Sequence, residues 1–168
     1  FEGPQFLSQL FIKSKKEGIK LITLKEALQS KDQIQLCNPS PSSWGQGGFH
    51  NYWLNDSNAW IVNQWSKAGR EMVSICSNGI QQESDIKIIK QAGRELLLCQ
   101  SSDWSFILKA GTTTELAKER INLHIKRFWM LINAIKDIEN IEHIDLEKIE
   151  KEDCIFPLIS PIDWKKKI

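Results

Sequence analysis

Apolar positions recur every three or four residues along most of the chain, which is the spacing of one face of an α-helix. This pattern predicts three long helices, over about residues 58–77, 84–100 and 114–138. The expected inward positions are Trp60, Ile61, Gln64, Ala68, Met72 and Ile75 in the first; Ile86, Ile89, Ala92 or Gly93, Leu96 and Leu97 in the second; and Leu116, Ile121, Ile125, Phe128, Leu131, Ile132 and Ile135 in the third.

Local start and stop signals add shorter helices. Pro4 suits a first helical turn, and Gly18 is expected to end that helix. Thr23 and Glu26 have the spacing of a capping box, which predicts a brief helix through about residue 28. A last short helix is expected within 145–168, before an aromatic Trp164 that docks. The sequence thus predicts a mainly α fold, a bundle of about five or six helices forming a single domain over residues 1–168, with residues 139–168 as a tail docked on the bundle.

Residues 37–55 break the helical pattern. Prolines and glycines alternate there with Ser and Asn, so neither helix nor strand periodicity survives. A loop of this length within a compact domain is usually functional or disordered, and this one is too aromatic for disorder. It contains Trp44, Phe49, Tyr52 and Trp53.

Composition excludes several classes of function. The 168 residues carry 22 Lys and Arg against 21 Asp and Glu, a net charge of +1, which disfavours nucleic acid as a partner. No apolar run is long enough to span a bilayer, so we expect no membrane association. The four cysteines lie far apart without zinc-finger spacing, so we expect no metal and reduced thiols in the cytoplasm. No nucleotide or cofactor motif occurs, and no cofactor is expected.

The aromatic loop is the strongest candidate site. Gly47 and Gly48 allow the backbone to turn and to approach a ligand, while Trp44 and Trp53 offer flat faces on which sugar rings can stack. His50 is the one histidine that we retain as a ligand contact. From the residues alone, sugar binding and mere pinning of the loop to the helices are equally supported.

Asp103 and Trp104 form a second candidate, because an acidic residue beside an indole could bind sugar hydroxyl groups. The alternative is that Asp103 caps a helix and Trp104 belongs to the core. A catalytic pair of carboxylates, which glycosidic chemistry ordinarily requires, cannot be assigned. The carboxylates considered, Glu2, Asp56, Glu71, Glu95, Asp103 and Glu115, are expected at solvated helix faces or in helical first turns, and His124 on a helix face.

The order of these motifs resembles a known family. Ser42-Ser43-Trp44-Gly45-x-Gly47-Gly48, Trp53-Leu54-Asn55 and the run from Arg94 to Phe106 that contains Ser101-Ser102-Asp103-Trp104 are similar to the C-terminal helical domain of glycoside hydrolase family 57 branching enzymes. The likeness extends from the first residue to about residue 128.

The resemblance implies the C-terminal domain of an enzyme that cleaves an α-1,4-glucan bond and rejoins the segment through an α-1,6 bond. It also implies that the catalytic Glu and Asp belong to an N-terminal (β/α) barrel absent from this chain, which would be the domain's partner. The glucan-binding positions implied are Trp44 and Trp53, with Gly47, Gly48, His50, Asp103 and Trp104 nearby.

Two other interpretations stay open. The same domain could serve a 4-α-glucanotransferase or an α-amylase-type hydrolase, which differ from a branching enzyme only in the product linkage. Alternatively, a non-catalytic helical domain could use its exposed aromatic residues to bind a glucan or a protein partner.

Overall fold

The computed structural model describes residues 2–30, 35–78, 82–136 and 144–166. The described part contains α-helices and short turns and no strand, which confirms the mainly α prediction. The helices are α1 (Glu2–Lys16), α2 (Leu24–Gln29), α3 (Ala59–Asn78), α4 (Glu83–Cys99), α5 (Ser102–Ala110), α6 (Thr114–Lys136) and α7 (Leu146–Glu152). The chain divides into two compact units, Phe1–Ser40 and Pro41–Ile168.

The first unit holds α1 and α2, and both end signals lie where the sequence predicted them. Gly18 has a φ of 69° and closes α1 with a Schellman motif, in which the Ile19 N–H donates to the Ser14 carbonyl at 2.8 Å. Thr23 caps α2, and Glu26 completes the capping box by accepting the Thr23 backbone N–H at 2.7 Å.

The second unit is built around the contact of α4 with α6, against which α3 and α5 also pack. Its core is apolar and tightly enclosed. The buried apolar residues of these helices are Ile61, Ala68, Met72, Cys76, Ile88, Ile89, Ala92, Leu96, Cys99, Leu108, Ala117, Ile121, Ile125, Phe128, Leu131 and Ile132. Gly111, with a φ of 76°, ends α5 as a left-handed C-cap, which leads the chain into α6.

Several expected positions are wrong. Trp60 and Leu116 were expected to face inward, but they are 37% and 48% exposed. Conversely, Glu95 and His124 were expected on helix surfaces, and both are buried. Periodicity identifies a helix but does not fix which residues at the edges of its apolar face are covered, because neighbouring helices decide that.

Within the second unit, the C-terminal segment packs on α3 and α4. Asp145 caps α7, and Trp164 lies against Gly93 of α4, where an added Cβ would lie 2.5 Å from the indole. The assignment of residues 1–168 to one domain stays a prediction, and residues 137–143, which include the expected end of α6, lie outside the described residues. None of the described helices is long and apolar enough to cross a membrane.

Candidate functional site

The aromatic loop folds back on itself through short-range hydrogen bonds. The Ser43 N–H donates to the Gly48 carbonyl at 2.8 Å, and the Ser43 hydroxyl donates to the Phe49 carbonyl at 2.5 Å. Within this closed turn, Gly47 and Gly48 have φ values of 71° and 76°. The left-handed region strains other residues, so both glycines are needed to make the turn.

Gly45 allows Trp53 to approach the turn closely. A Cβ added at Gly45 would lie 2.8 Å from the Trp53 ring and 3.0 Å from the Phe49 carbonyl oxygen. Both distances are too short for a side chain. The glycine therefore positions the Trp53 ring directly against the loop backbone.

Asn58 anchors the loop to α5. This side chain is fully buried; its Oδ1 accepts the Asn55 N–H at 2.9 Å, and its amide donates to the Tyr52 carbonyl at 3.0 Å and the Ser105 carbonyl at 3.2 Å. A buried amide with all these partners is costly to disturb. The loop is consequently held against the helix that carries Phe106.

Four aromatic rings meet at this junction, and we call them the aromatic platform: Trp44, Tyr52, Trp53 and Phe106. Phe106 stacks on Tyr52 with ring centroids 4.7 Å apart and on Trp44 at 5.6 Å. Trp53 meets Trp44 edge-on at 5.3 Å. Such ring pairs stabilise one another by about 0.5–1.5 kcal/mol beyond the area that they bury.

Trp44 remains largely open to solvent although it packs on the platform. Its side chain is 80% exposed, whereas Tyr52 and Trp53 are half-buried. A large indole held in place by its neighbours and left bare is typical of a ligand contact, because it offers apolar area without a large ordering cost. The platform has the shape and chemistry to stack against the apolar face of a flat ligand such as a sugar ring.

Comparison with known proteins identifies the family. Residues 64–164 match the family described as 1,4-alpha-glucan branching enzyme, C-terminal, and this span is more than half of the chain. The chain belongs to this family.

Individual relatives agree with this assignment. A 1,4-alpha-glucan branching enzyme of Thermococcus kodakarensis is 30% identical over 164 residues, which are 93% of this chain and 24% of that protein. The crystal structure of the GH57-type branching enzyme from Pyrococcus horikoshii matches the whole chain with a TM-score of 0.82 and 29% identity, over 32% of its own length. An alpha-amylase structure from Thermotoga maritima matches the whole chain with a TM-score of 0.76 and 29% identity, over 31% of its length.

The chain spans about a quarter of the curated relative and about a third of each of these structures. It corresponds to the C-terminal portion of the branching enzymes.

In this branching-enzyme domain, the other predicted site residues lie on the aromatic loop and on α5. His50 is exposed, and its carbonyl accepts the Trp53 and Leu54 N–H groups at 2.9 Å. Asp103 is exposed in the first turn of α5. Trp104 is half-buried against the core, and its indole N–H donates to the Leu98 carbonyl at 2.8 Å. Their roles in binding stay predictions.

Two residues of the site were not predicted as such. Phe106 joins the platform from α5, two positions after Trp104, and Asn58 holds the loop to that helix. An aromatic residue in the Ser-Ser-Asp-Trp-x-Phe run was visible in the sequence. Nothing local, however, indicated that it meets a loop some fifty positions earlier.

Among the described residues, the group that could hold a metal ion is Glu95, His124 and Asp153, which is separate from the platform residues. The chemistry that the platform offers is stacking against an apolar face.

Proposed function

We propose that this chain is the C-terminal, substrate-cleft domain of a 1,4-α-glucan branching enzyme and that the aromatic platform binds the α-1,4-glucan. The observation that carries the proposal is Trp44, which is 80% exposed and yet stacked on Phe106 within a family of branching-enzyme domains. Its partner is the N-terminal catalytic barrel of the same protein, and its compartment is the cytoplasm.

The platform would contribute binding and orientation rather than bond cleavage. Retaining transglycosylation needs a carboxylate nucleophile and a carboxylic acid/base on either side of the scissile bond. We assign both to the barrel, as the family resemblance implies. Stacking tolerates sliding of a repetitive polymer, because successive glucose units present equivalent apolar faces. The platform would therefore hold the chain near the catalytic carboxylates without fixing one register.

The first unit offers a surface suited to the barrel. Phe6, Leu7 and Phe11 of α1 are 66%, 51% and 61% exposed, and they fall on one stripe of the helix together with Leu10. Several large apolar side chains exposed along one stripe of a helix usually mark an interaction surface. An adjoining domain of the same protein is the partner that this family membership favours.

The cytoplasmic assignment is supported by the cysteines. All four are free thiols, and two of them, Cys37 and Cys154, are exposed. Proteins in oxidising compartments seldom keep exposed thiols unpaired.

A hydrolase or glucanotransferase is the second candidate, favoured by the likeness to the Thermotoga alpha-amylase structure. The three activities act on the same glucan and differ in the acceptor: a sugar O6, a sugar O4, or water. Residues on this chain bind glucan in all three.

Proton NMR of amylose incubated with the full-length gene product distinguishes these reactions. We expect a new α-1,6 anomeric signal. Redistributed α-1,4 chains without that signal would indicate glucanotransfer instead of branching, and new reducing ends would indicate hydrolysis. Unchanged amylose would contradict any catalytic role and favour a binding module. A barrel variant that lacks its nucleophile is the control for contaminating activity.

A further inference from the structure

A buried cluster of charged side chains joins three elements of the second unit. Glu95 lies on α4, His124 on α6, and Asp153 directly after α7. His124 Nδ1 lies 2.7 Å from Glu95 Oε2 and 3.8 Å from Asp153 Oδ2, and the candidate ligand atoms of the three residues all fall within 4.8 Å of one another. One imidazole nitrogen and two carboxylates thus converge from three separate elements.

Each carboxylate is held by a second residue. Gln91 Nε2 donates to Glu95 Oε1 at 2.8 Å, which leaves Oε2 directed at His124. Arg127 Nη1 donates to Asp153 Oδ2 at 2.5 Å. Outer hydrogen bonds of this kind orient the ligands in protein metal sites and are an ordinary part of such sites.

The cluster is deeply buried and rich in negative charge. Glu95 is 0% and His124 3% exposed. Arg127 pairs with both Asp153 and Glu152, so two carboxylates share one guanidinium, while Glu95 bonds to Gln91 and His124. Arg94 donates instead to neutral partners, the Gln91 amide and the Ile155 carbonyl. A positive charge added among these carboxylates would be stabilising.

We propose that Glu95, His124 and Asp153 bind one divalent transition-metal ion of the zinc class. Tetrahedral Zn²⁺ with ligand distances of about 2.1 Å separates its ligand atoms by about 3.4 Å. The observed 2.7 Å and 3.8 Å lie on either side of that value, so the His124–Glu95 separation would widen by about 0.7 Å and the His124–Asp153 separation would close by about 0.4 Å. An imidazole with two carboxylates suits zinc better than magnesium or calcium, which prefer oxygen ligands alone.

Metal binding would take the place of the hydrogen bond between His124 Nδ1 and Glu95 Oε2. The ion can enter beside Asp153, whose side chain is 14% exposed. Once bound, it would tie α4 and α6 to the end of α7 and so fix the C-terminal segment, whether or not the protein acts on glucan.

The test is a zinc titration of the protein stripped of metal by chelation, with Co²⁺ as a spectroscopic probe. We expect one zinc per chain to be retained after dialysis, tetrahedral d–d absorption with Co²⁺, and a rise in the unfolding temperature of about 5 °C at saturation. The Asp153→Asn variant removes a ligand but can still accept from Arg127, so it should fold and bind zinc at least 10-fold more weakly.

Glu152→Gln is the matched control, because it removes the neighbouring carboxylate of the same ion-pair group without removing a ligand. It should bind zinc as the unmodified protein does. Equal weakening by both variants, or substoichiometric retention and no Co²⁺ spectrum, would overturn the site. Equal weakening would mean that the ion binds adventitiously to acidic surface groups. Substoichiometric retention without a Co²⁺ spectrum would mean that His124 and Glu95 form only a hydrogen-bonded pair.

Discussion

Gly93 shows how a single missing side chain positions a segment. A Cβ added at Gly93 would lie 2.5 Å from the Trp164 indole and 3.2 Å from the Ile159 side chain. The glycine is buried in the middle of α4, where it lowers helix propensity. Its presence there is explained by the close approach of the C-terminal segment.

Gly93→Ala should therefore destabilise the protein although alanine is the better helix former. Overpacking against Trp164 costs about 1–3 kcal/mol, which exceeds the gain of about 1 kcal/mol in propensity. Urea unfolding followed by tryptophan fluorescence measures the change in the free energy of unfolding.

Gly69→Ala is the control for the glycine-to-alanine change itself. Gly69 lies inside α3 with no atom within 4 Å of an added Cβ, so this change should stabilise the protein by about 0.5–1 kcal/mol. Equal effects of the two substitutions would contradict the packing explanation of Gly93.

The four cysteines should divide into two classes. Burial raises the pKa of the Cys99 thiol to about 11, with a further rise from the nearby Glu95 charge, although the Trp65 N–H opposes it. Burial also raises the pKa of Cys76. Thiolates are the reactive form, so both buried thiols should be inert near pH 8.

A thiol-reactive chromophore should therefore label two cysteines in the native protein, Cys37 and Cys154, and all four in denaturant. In the Cys37→Ser variant, the rapidly labelled number should fall from two to one. Rapid labelling of a third thiol in the native protein would contradict the burial of Cys76 and Cys99.

Single-residue roles were predictable only where the chemistry is local. The turn conformation of Gly47 and Gly48 follows from the absence of a Cβ at both positions. The burial of Glu95 was not predictable, because its partners His124 and Asp153 lie 29 and 58 positions away. An isolated glutamate within a helical pattern ordinarily indicates a solvated face.

Among the elements, α2 depends most visibly on its cap. The Thr23 backbone N–H, and then its hydroxyl, donate to Glu26 and lower the pKa of that carboxyl below its ordinary value of 4.5. Because the folded pKa is the lower one, the stabilisation is present above pH 4.5 and is lost as the pH falls through the folded pKa.

Thr23→Ala should raise the Glu26 pKa part of the way toward its ordinary value. The backbone donor remains after this substitution, so the shift is only partial. Carboxyl-resolved NMR titration of Glu26 measures it, and Thr23→Ser, which keeps the hydroxyl, should leave the midpoint in place. An unchanged Glu26 titration midpoint in the alanine variant would show that the Thr23 hydroxyl does not lower the Glu26 pKa.

Helix positions were largely predictable because their signals act over a few residues. Apolar spacing predicted α3, α4 and α6 to within a few residues, and Gly18 and Thr23 marked ends that the structure places there. The attachment of the aromatic loop to α5 was not predictable. It depends on Asn58, whose bond to the Ser105 carbonyl spans 47 positions.

At the scale of the whole molecule, the bundle acts as a rigid support for a loop. The platform joins the aromatic loop to α5, and α5 in turn packs on α6. Binding residues are often placed on loops that a stable scaffold holds in position. The aromatic faces of the platform are thus held in place by helices as well as by the loop itself.

The aromatic platform is also where fold and function are most closely linked. Deleting an aromatic stacking partner costs about 1–3 kcal/mol in comparable systems, equivalent to about 5- to 150-fold in binding. Trp44 is 80% exposed, so its removal should weaken glucan binding while the domain stays folded. Trp60, 37% exposed on α3 and absent from the platform, provides a matched tryptophan-to-alanine control.

The decisive measurement is the initial rate of α-1,6 bond formation by the full-length protein at subsaturating amylose, for Trp44→Ala and Trp60→Ala beside the unmodified enzyme. We expect Trp44→Ala to lose about 5- to 150-fold while it stays folded, with an unfolding temperature that is at most slightly lowered, and Trp60→Ala to stay within about two-fold. A Trp44→Ala enzyme as active as the unmodified one, or equal losses in both variants, would contradict the role of the aromatic platform in binding glucan.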